Sequence, residues 1–167
     1  MAPWSEFELE ELSDVVDATC PHYSKFWYEG CRVTKKGDDE GHLLGRISLA
    51  HKPIVSIKVG GKLAFGFMDA NDPSEESMIY YGASGAVMDG DHKVGHAAPF
   101  AQGDRVTLAI DFKDGVVTWS LNGNIEVKHS FHRLTKPPTP WLSCLLTKNQ
   151  TIKWVPFVYM AQKGDWV

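Results

Sequence analysis

The chain has 167 residues, 43% of them hydrophobic and 23% charged, and a formal net charge of −4. This length and composition suit one globular domain with a sizeable core and argue against a disordered chain. Acids and bases are mixed along the chain with no Lys/Arg block, so there is no basic stripe of the kind that binds a nucleic-acid backbone.

The first residues, MAPWSEFELEELSDVV, are acidic and lack a long apolar core. They do not read as a signal peptide, and no later stretch is long enough to span a bilayer as a helix. The three cysteines, Cys20, Cys31 and Cys144, are an odd number without a signal, which is expected of reduced thiols in a cytoplasmic protein. Asn149-Gln150-Thr151 matches a glycosylation sequon, and in such a compartment the match is chance.

In chain order, the first expected element is a short N-terminal helix within residues 1–19. Ser5 and Glu8 have capping-box spacing, and Trp4 and Leu9 stand where a hydrophobic staple would place them. Leu9, Leu12, Val15 and Val16 follow at roughly helical spacing. This helix is expected to pack on the outside of the domain.

From Pro21 the pattern becomes β. Residues 26–34 are rich in aromatic and β-branched types and end at the turn-rich run 35–41. Strands are next expected over 42–49, 54–59 and 63–68, with Gly60-Gly61 as a hairpin turn between the last two. Residues 105–112 alternate strictly: Val106, Leu108, Ile110 and Phe112 share one face, and Thr107, Ala109 and Asp111 the other. Asp114-Gly115 predicts a tight hairpin, and Val117, Trp119 and Leu121 resume the alternation. Asn122-Gly123 predicts a second hairpin, returning over 125–131. These three strands form a meander. A proline-rich loop at 136–140 precedes two more strands, 141–147 and 151–159. About ten short strands joined by tight turns make an all-β, antiparallel β-sandwich the expected fold.

Gly103-Asp104 opening a strand, Asp111 near its end, Trp119 on the next and Asn122-Gly123 closing it resemble the SPRY-domain signature, with Phe131 similar to its following aromatic. Phe65-Gly66-Phe67-Met68, the Tyr/Gly-rich segment Tyr80-Tyr81-Gly82 through Gly90, Pro140-Trp141-Leu142 and residues 152–157 resemble further strands of the same family. The resemblance spans roughly residues 26–158. It implies a concanavalin-like sandwich of two bent sheets over residues 20–160, followed by a tail at 161–167. It also implies a domain within a larger protein or complex, monomeric by itself. Its function would be that of an adaptor: recognition of a substrate or other protein or peptide through loops at one edge. Fold alone does not determine function.

The resemblance points to two loops. One holds Asp69, Asn71, Asp72, Glu75 and Glu76 and leads to Tyr80 and Tyr81. The other holds Lys148 and Asn149. One tyrosine is expected in the core while the other presents its ring to a partner. Residues 20–28 are a third candidate. The acidic loop favours a basic partner segment. Gly103-Asp104, Asp114-Gly115, Asn122-Gly123 and Trp119 read as turn and core chemistry.

Catalytic residues, metal ligands and cofactors are not expected. The related glucanases carry alternating acids on one strand, whereas the dense acidic run here, residues 6–11, reads as a helix. No Gly-x-Ser-x-Gly elbow or phosphate loop occurs. His92 and His96 have zinc-like spacing on a helix, but Gly90 and Gly95 place them in a loop. The alternative function is a calcium-dependent lectin using Asp69, Asn71 and Asp72.

Overall fold

The computed structural model describes residues 5–9, 17, 22–29, 32–37, 41–45, 49–50, 53–70, 77–131, 134 and 154–160. The described strands are β1 (Ser5–Leu9), β2 (Phe26–Glu29), β3 (Arg32–Lys35), β4 (Gly41–Leu44), β5 (Ile54–Gly61), β6 (Ala64–Asp69) and β7 (Ile79–Gly82). They continue with β8 (Ala86–Asp89), β9 (His92–His96), β10 (Arg105–Asp111), β11 (Val116–Leu121), β12 (Asn124–Ser130) and β13 (Trp154–Met160). One sheet has the order β12-β11-β10-β5-β1-β3-β2 and the other β4-β13-β6-β7-β8-β9, with every pairing antiparallel.

In the seven-stranded sheet the alternation survives folding. Val106, Leu108 and Ile110 are buried on β10, and Val117 and Trp119 on β11, while the residues between them are partly or fully exposed. Leu121 and Phe112 are half-buried at the margin of this core. The centre of the six-stranded sheet differs. On β6 residues 64–68 are all buried, and on β13 residues 154–158 are all buried. Those strands are covered on both faces and therefore read as continuous apolar runs.

The sheets meet through aromatic packing. The Trp119 indole N–H donates to the Phe65 carbonyl, 3.1 Å away on the other sheet. Phe67 stacks on Trp119 and meets Phe131 and Trp154 edge to face. A buried indole needs an acceptor, and a strand carbonyl supplies it here. Inside β13 the Pro156 carbonyl accepts from the Gly45 N–H at 2.8 Å. Having no N–H, Pro156 cannot return the reciprocal bond to Gly45, and the loss falls just past the end of β4, where that ladder is finishing.

Four local expectations are corrected. Ser5–Leu9 forms a strand, not the start of a helix, and lies inside the seven-stranded sheet between β5 and β3. The segment Ser5-Glu6-Phe7-Glu8-Leu9 also alternates with period two. In the sheet, Glu8 pairs in backbone register with Lys58 on one side and Arg32 on the other, and two backbone ladders outweigh a weak helix propensity. The rest of the expected helix lies outside the described residues, apart from Asp17. Residues 26–34 form two paired strands, β2 and β3, rather than one. Gly60-Gly61 is not a hairpin turn: both glycines belong to β5 and pair with Glu6 and Ser5, and the chain then crosses to the other sheet. His92–His96 is an edge strand, not a loop, with a register shift that leaves Val94 without a register partner between Lys93 and Gly95. The expected strand over 141–147 lies outside the described residues.

The hairpins hold with one adjustment. At β10–β11 the loop is residues 112–115, longer than two, with Gly115 at φ 68 and the Asp111 carboxylate accepting from the Lys113 and Asp114 N–H groups. At β11–β12 the loop is Asn122-Gly123 alone, with φ 51 and 87, the left-handed pair that a tight antiparallel turn requires.

Candidate functional site

The antiparallel register gathers several connections at one end of the six-stranded sheet. Asp69, the last residue of β6, pairs with Trp154, the first of β13. Chain leaving β6 toward residues 71–76 therefore departs beside the point where chain from 148–153 arrives. On the other flank Ile79 pairs with Asp89, and the Gly90 N–H donates to the Met78 carbonyl at 2.8 Å. The β8–β9 turn thus belongs to the same end.

Of the residues singled out from the sequence, Asp69 is half-buried at this end. Asn71, Asp72, Glu75, Glu76, Lys148 and Asn149 lie outside the described residues. Sequence reasoning missed Asp89 and Asp91 as members of this end. Their signal was the turn residue Gly90, at φ 61, set between them. Asp91 and His92 approach at 3.5 Å with both side chains almost fully exposed, a pair of little energetic weight. Among the described residues no group of three or more His, Cys, Asp and Glu side chains is placed to hold a metal ion.

The two tyrosines separate clearly. Tyr81 is fully buried, its ring edge-on to Phe100 and its hydroxyl donating to the Ala98 carbonyl. It is a core residue, which corrects its inclusion among the partner contacts: two adjacent strand residues face opposite sides of a sheet. Burial, then the negative charges of Glu126 and Asp104, push its phenol up to about 12. Tyr80 points to the other face and is half-buried. It leans on Phe157 at 6.1 Å, edge to face, across the intervening Gly66. A methyl group on Gly66 would lie 1.9 Å from the Ile79 carbonyl oxygen and 2.7 Å from the Tyr80 Cβ. The apolar-Gly-aromatic pattern is therefore what lets Tyr80 and Phe157 meet over β6.

The third candidate segment lies elsewhere. The His42 N–H donates to His22 Nδ1 at 3.1 Å, and the two rings stand 4.2 Å apart. His42 pairs with Tyr159, at the opposite end of β13 from Trp154. Gly103-Asp104 is a structural corner. The Asp104 carboxylate accepts from the Ala101 N–H and from the Asn122 amide, while the Asn122 side-chain oxygen accepts from the Arg105 N–H.

No family model matches the chain, and no curated protein matches it. Among solved structures, the SPRY domain of human HERC1 is similar at 12% identity over 92% of this chain and 90% of that one, with a TM-score of 0.56. A human SPRY domain is similar at 14% identity over 84% of this chain and 91% of that one, with a TM-score of 0.61. At such identities the likeness rests on backbone architecture, and it agrees with the two-sheet antiparallel topology. This chain has the SPRY-type sandwich fold.

Proposed function

We propose that this domain is a non-catalytic protein-binding module that receives a basic, extended segment of a partner at the loop end of its six-stranded sheet. The observation that carries the reading is the register. Asp69 beside Trp154, and Ile79 beside Asp89, bring three connections to one end; two of them, 69–76 and 89–91, are rich in acids, while 148–153 carries two lysines. Asn71, Asp72, Glu75 and Glu76 follow Asp69 in the sequence, Asp91 follows Asp89, and Lys148 and Asn149 precede Trp154. Rigid strands holding acidic loops supply the polar rim of an interface. Half-buried Tyr80, braced by Phe157, supplies an aromatic anchor on the adjoining face. The likeness to SPRY domains supports a binding role by analogy of fold.

A random-peptide display selection on the isolated domain tests this. The expected enrichment is for Lys/Arg-containing peptides, lost when residues 71–76 and 148–150 are scrambled together in a variant that keeps the parent's melting temperature. Enrichment that survives the scrambling would sink the assignment of the site.

A further inference from the structure

Ile54 and Ile125 are the large hydrophobic side chains exposed among the described residues, at 59% and 67%. They come from distant parts of the sequence, yet the register sets both on the outer face of the seven-stranded sheet. Ile125 pairs with Ser120, Ser120 with Thr107, and Thr107 with Ser56. The Ser56 and Thr107 hydroxyls meet at 2.8 Å on that face. Ile54 lies one row along, opposite Ala109, which pairs with Thr118. Three strand-to-strand steps separate the isoleucine columns, about 15 Å. The floor between them holds only small side chains, Ser56, Thr107, Ala109, Thr118 and Ser120, so another chain can approach the sheet closely.

The charge of this area is opposite to that of the whole protein. Across β5, β10, β11 and β12 the outward register positions include Lys58, Arg105 and Lys128, all exposed. The acid among them is Asp111, at the margin, with its carboxylate engaged by two backbone N–H groups. Glu8 of β1 pairs with Lys58, so the cationic part spreads from that column toward Arg105 and Lys128. Glu126, beside Ile125, exerts its charge on buried Tyr81. The chain as a whole carries −4. A cationic face with two aliphatic anchors on an acidic protein is complementary to an acidic segment with aliphatic side chains.

We propose that the outer face of the seven-stranded sheet is a second docking surface, which takes an acidic, leucine- or isoleucine-bearing segment of a partner protein between Ile54 and Ile125. It is independent of the acidic loop end, so the domain would bridge two partners of opposite charge.

The probe is a pair of synthetic peptides of equal length, alternating leucine with glutamate in one and leucine with lysine in the other. Both are titrated into protein carrying 13C-labelled isoleucine δ-methyl groups. The glutamate peptide is expected to shift the Ile54 and Ile125 methyl signals, with affinity falling about tenfold in K58E/K128E and on doubling the salt. Ile54→Ser with Ile125→Ser removes the reporting methyls, so its binding is read by titration calorimetry; it is expected to abolish binding of the glutamate peptide with the melting temperature kept, and Lys93→Glu on β9 to leave binding unchanged. Equal response to both peptides, shifts confined to other isoleucines, or binding that survives the double serine variant would each overturn the proposal. So would methyl shifts that track protein concentration without peptide, since the face would then be an interface between copies of this chain.

Discussion

At the scale of single residues, Trp119 is the most consequential side chain. It is fully buried, stacks on Phe67 and ties the two sheets through its bond to the Phe65 carbonyl. Trp119→Ala should cost about 3–5 kcal/mol by urea unfolding, the range for deleting a large buried aromatic. Trp119→Phe separates the two contributions. It keeps most of the apolar contact but strands a buried carbonyl, for an expected loss of about 1–3 kcal/mol. Tyr81 makes a different prediction, on alkaline stability. Its phenol ionises around 10.0 in an unfolded chain and only at about 12 in the fold, chiefly because burial disfavours the phenolate. Between those values the unfolded chain releases the proton first, so rising pH favours unfolding. The contribution is complete below pH 10 and lost as pH approaches 12, on the order of 2–3 kcal/mol. Denaturation midpoints measured across that window should fall less steeply in Tyr81→Phe than in the parent. Equal slopes would show that Tyr81 is not the group responsible.

At the scale of elements, the corner that joins β10, β11 and β12 is held by one aspartate and one asparagine. Asn122 takes φ 51, spans to the Arg105 N–H and donates to Asp104, which in turn holds Ala101. Asn122→Ala should cost about 1–2 kcal/mol, combining the left-handed penalty with lost bonds. Asn122→Gly should cost less, because only the bonds go. A double-mutant cycle of Asp104→Ala with Asn122→Ala should show coupling of at least about 0.5 kcal/mol, and strict additivity would deny the shared network. This meander was legible because each strand has one solvent face, so alternation in the sequence maps onto burial. The strands β6 and β13 were legible only as apolar runs, since both their faces are buried and no period remains to read. Strand β1 was misread because its last residue, Leu9, runs on into Leu12, Val15 and Val16, a spacing that fits a helix. Only the presence of β5 and β3 on either side decides the matter. Gly60-Gly61 looks like a turn for a similar reason: local chemistry says nothing about which sheet the next strand joins. The same limit applies to the site. The sequence marks a Tyr-Tyr pair and an acidic loop, but assigning Tyr81 to the core requires the hydroxyl's partner at Ala98, 17 residues downstream, and grouping Asp89 with Asp69 requires the register.

At the scale of the whole molecule, the two proposed surfaces make the domain electrostatically two-sided, and the acidic end can be tested against its lectin alternative. Both readings use the loop that begins at Asp69. A lectin needs a bound calcium or a dense hydrogen-bonding cup, whereas a protein binder needs an acidic rim and an aromatic anchor. Glu75→Lys with Glu76→Lys should weaken a basic peptide selected on the domain by about 1–2 kcal/mol. The loss should lie mainly in a slower association rate whose salt dependence shrinks, because rim charges steer encounter more than they hold the complex. Tyr80→Ala should cost more and act on dissociation, since an anchor residue leaves a packed contact when the complex separates. Stopped-flow association at several salt concentrations distinguishes the two effects. Calcium should change neither the melting temperature nor these rates, because a ligand that binds only the folded state raises its apparent stability. Glycan-array binding that needs calcium and disappears in Asp69→Ala would decide for the lectin. A charge-reversal variant with unaltered association would remove the acidic rim from the site and leave Tyr80 as its remaining support.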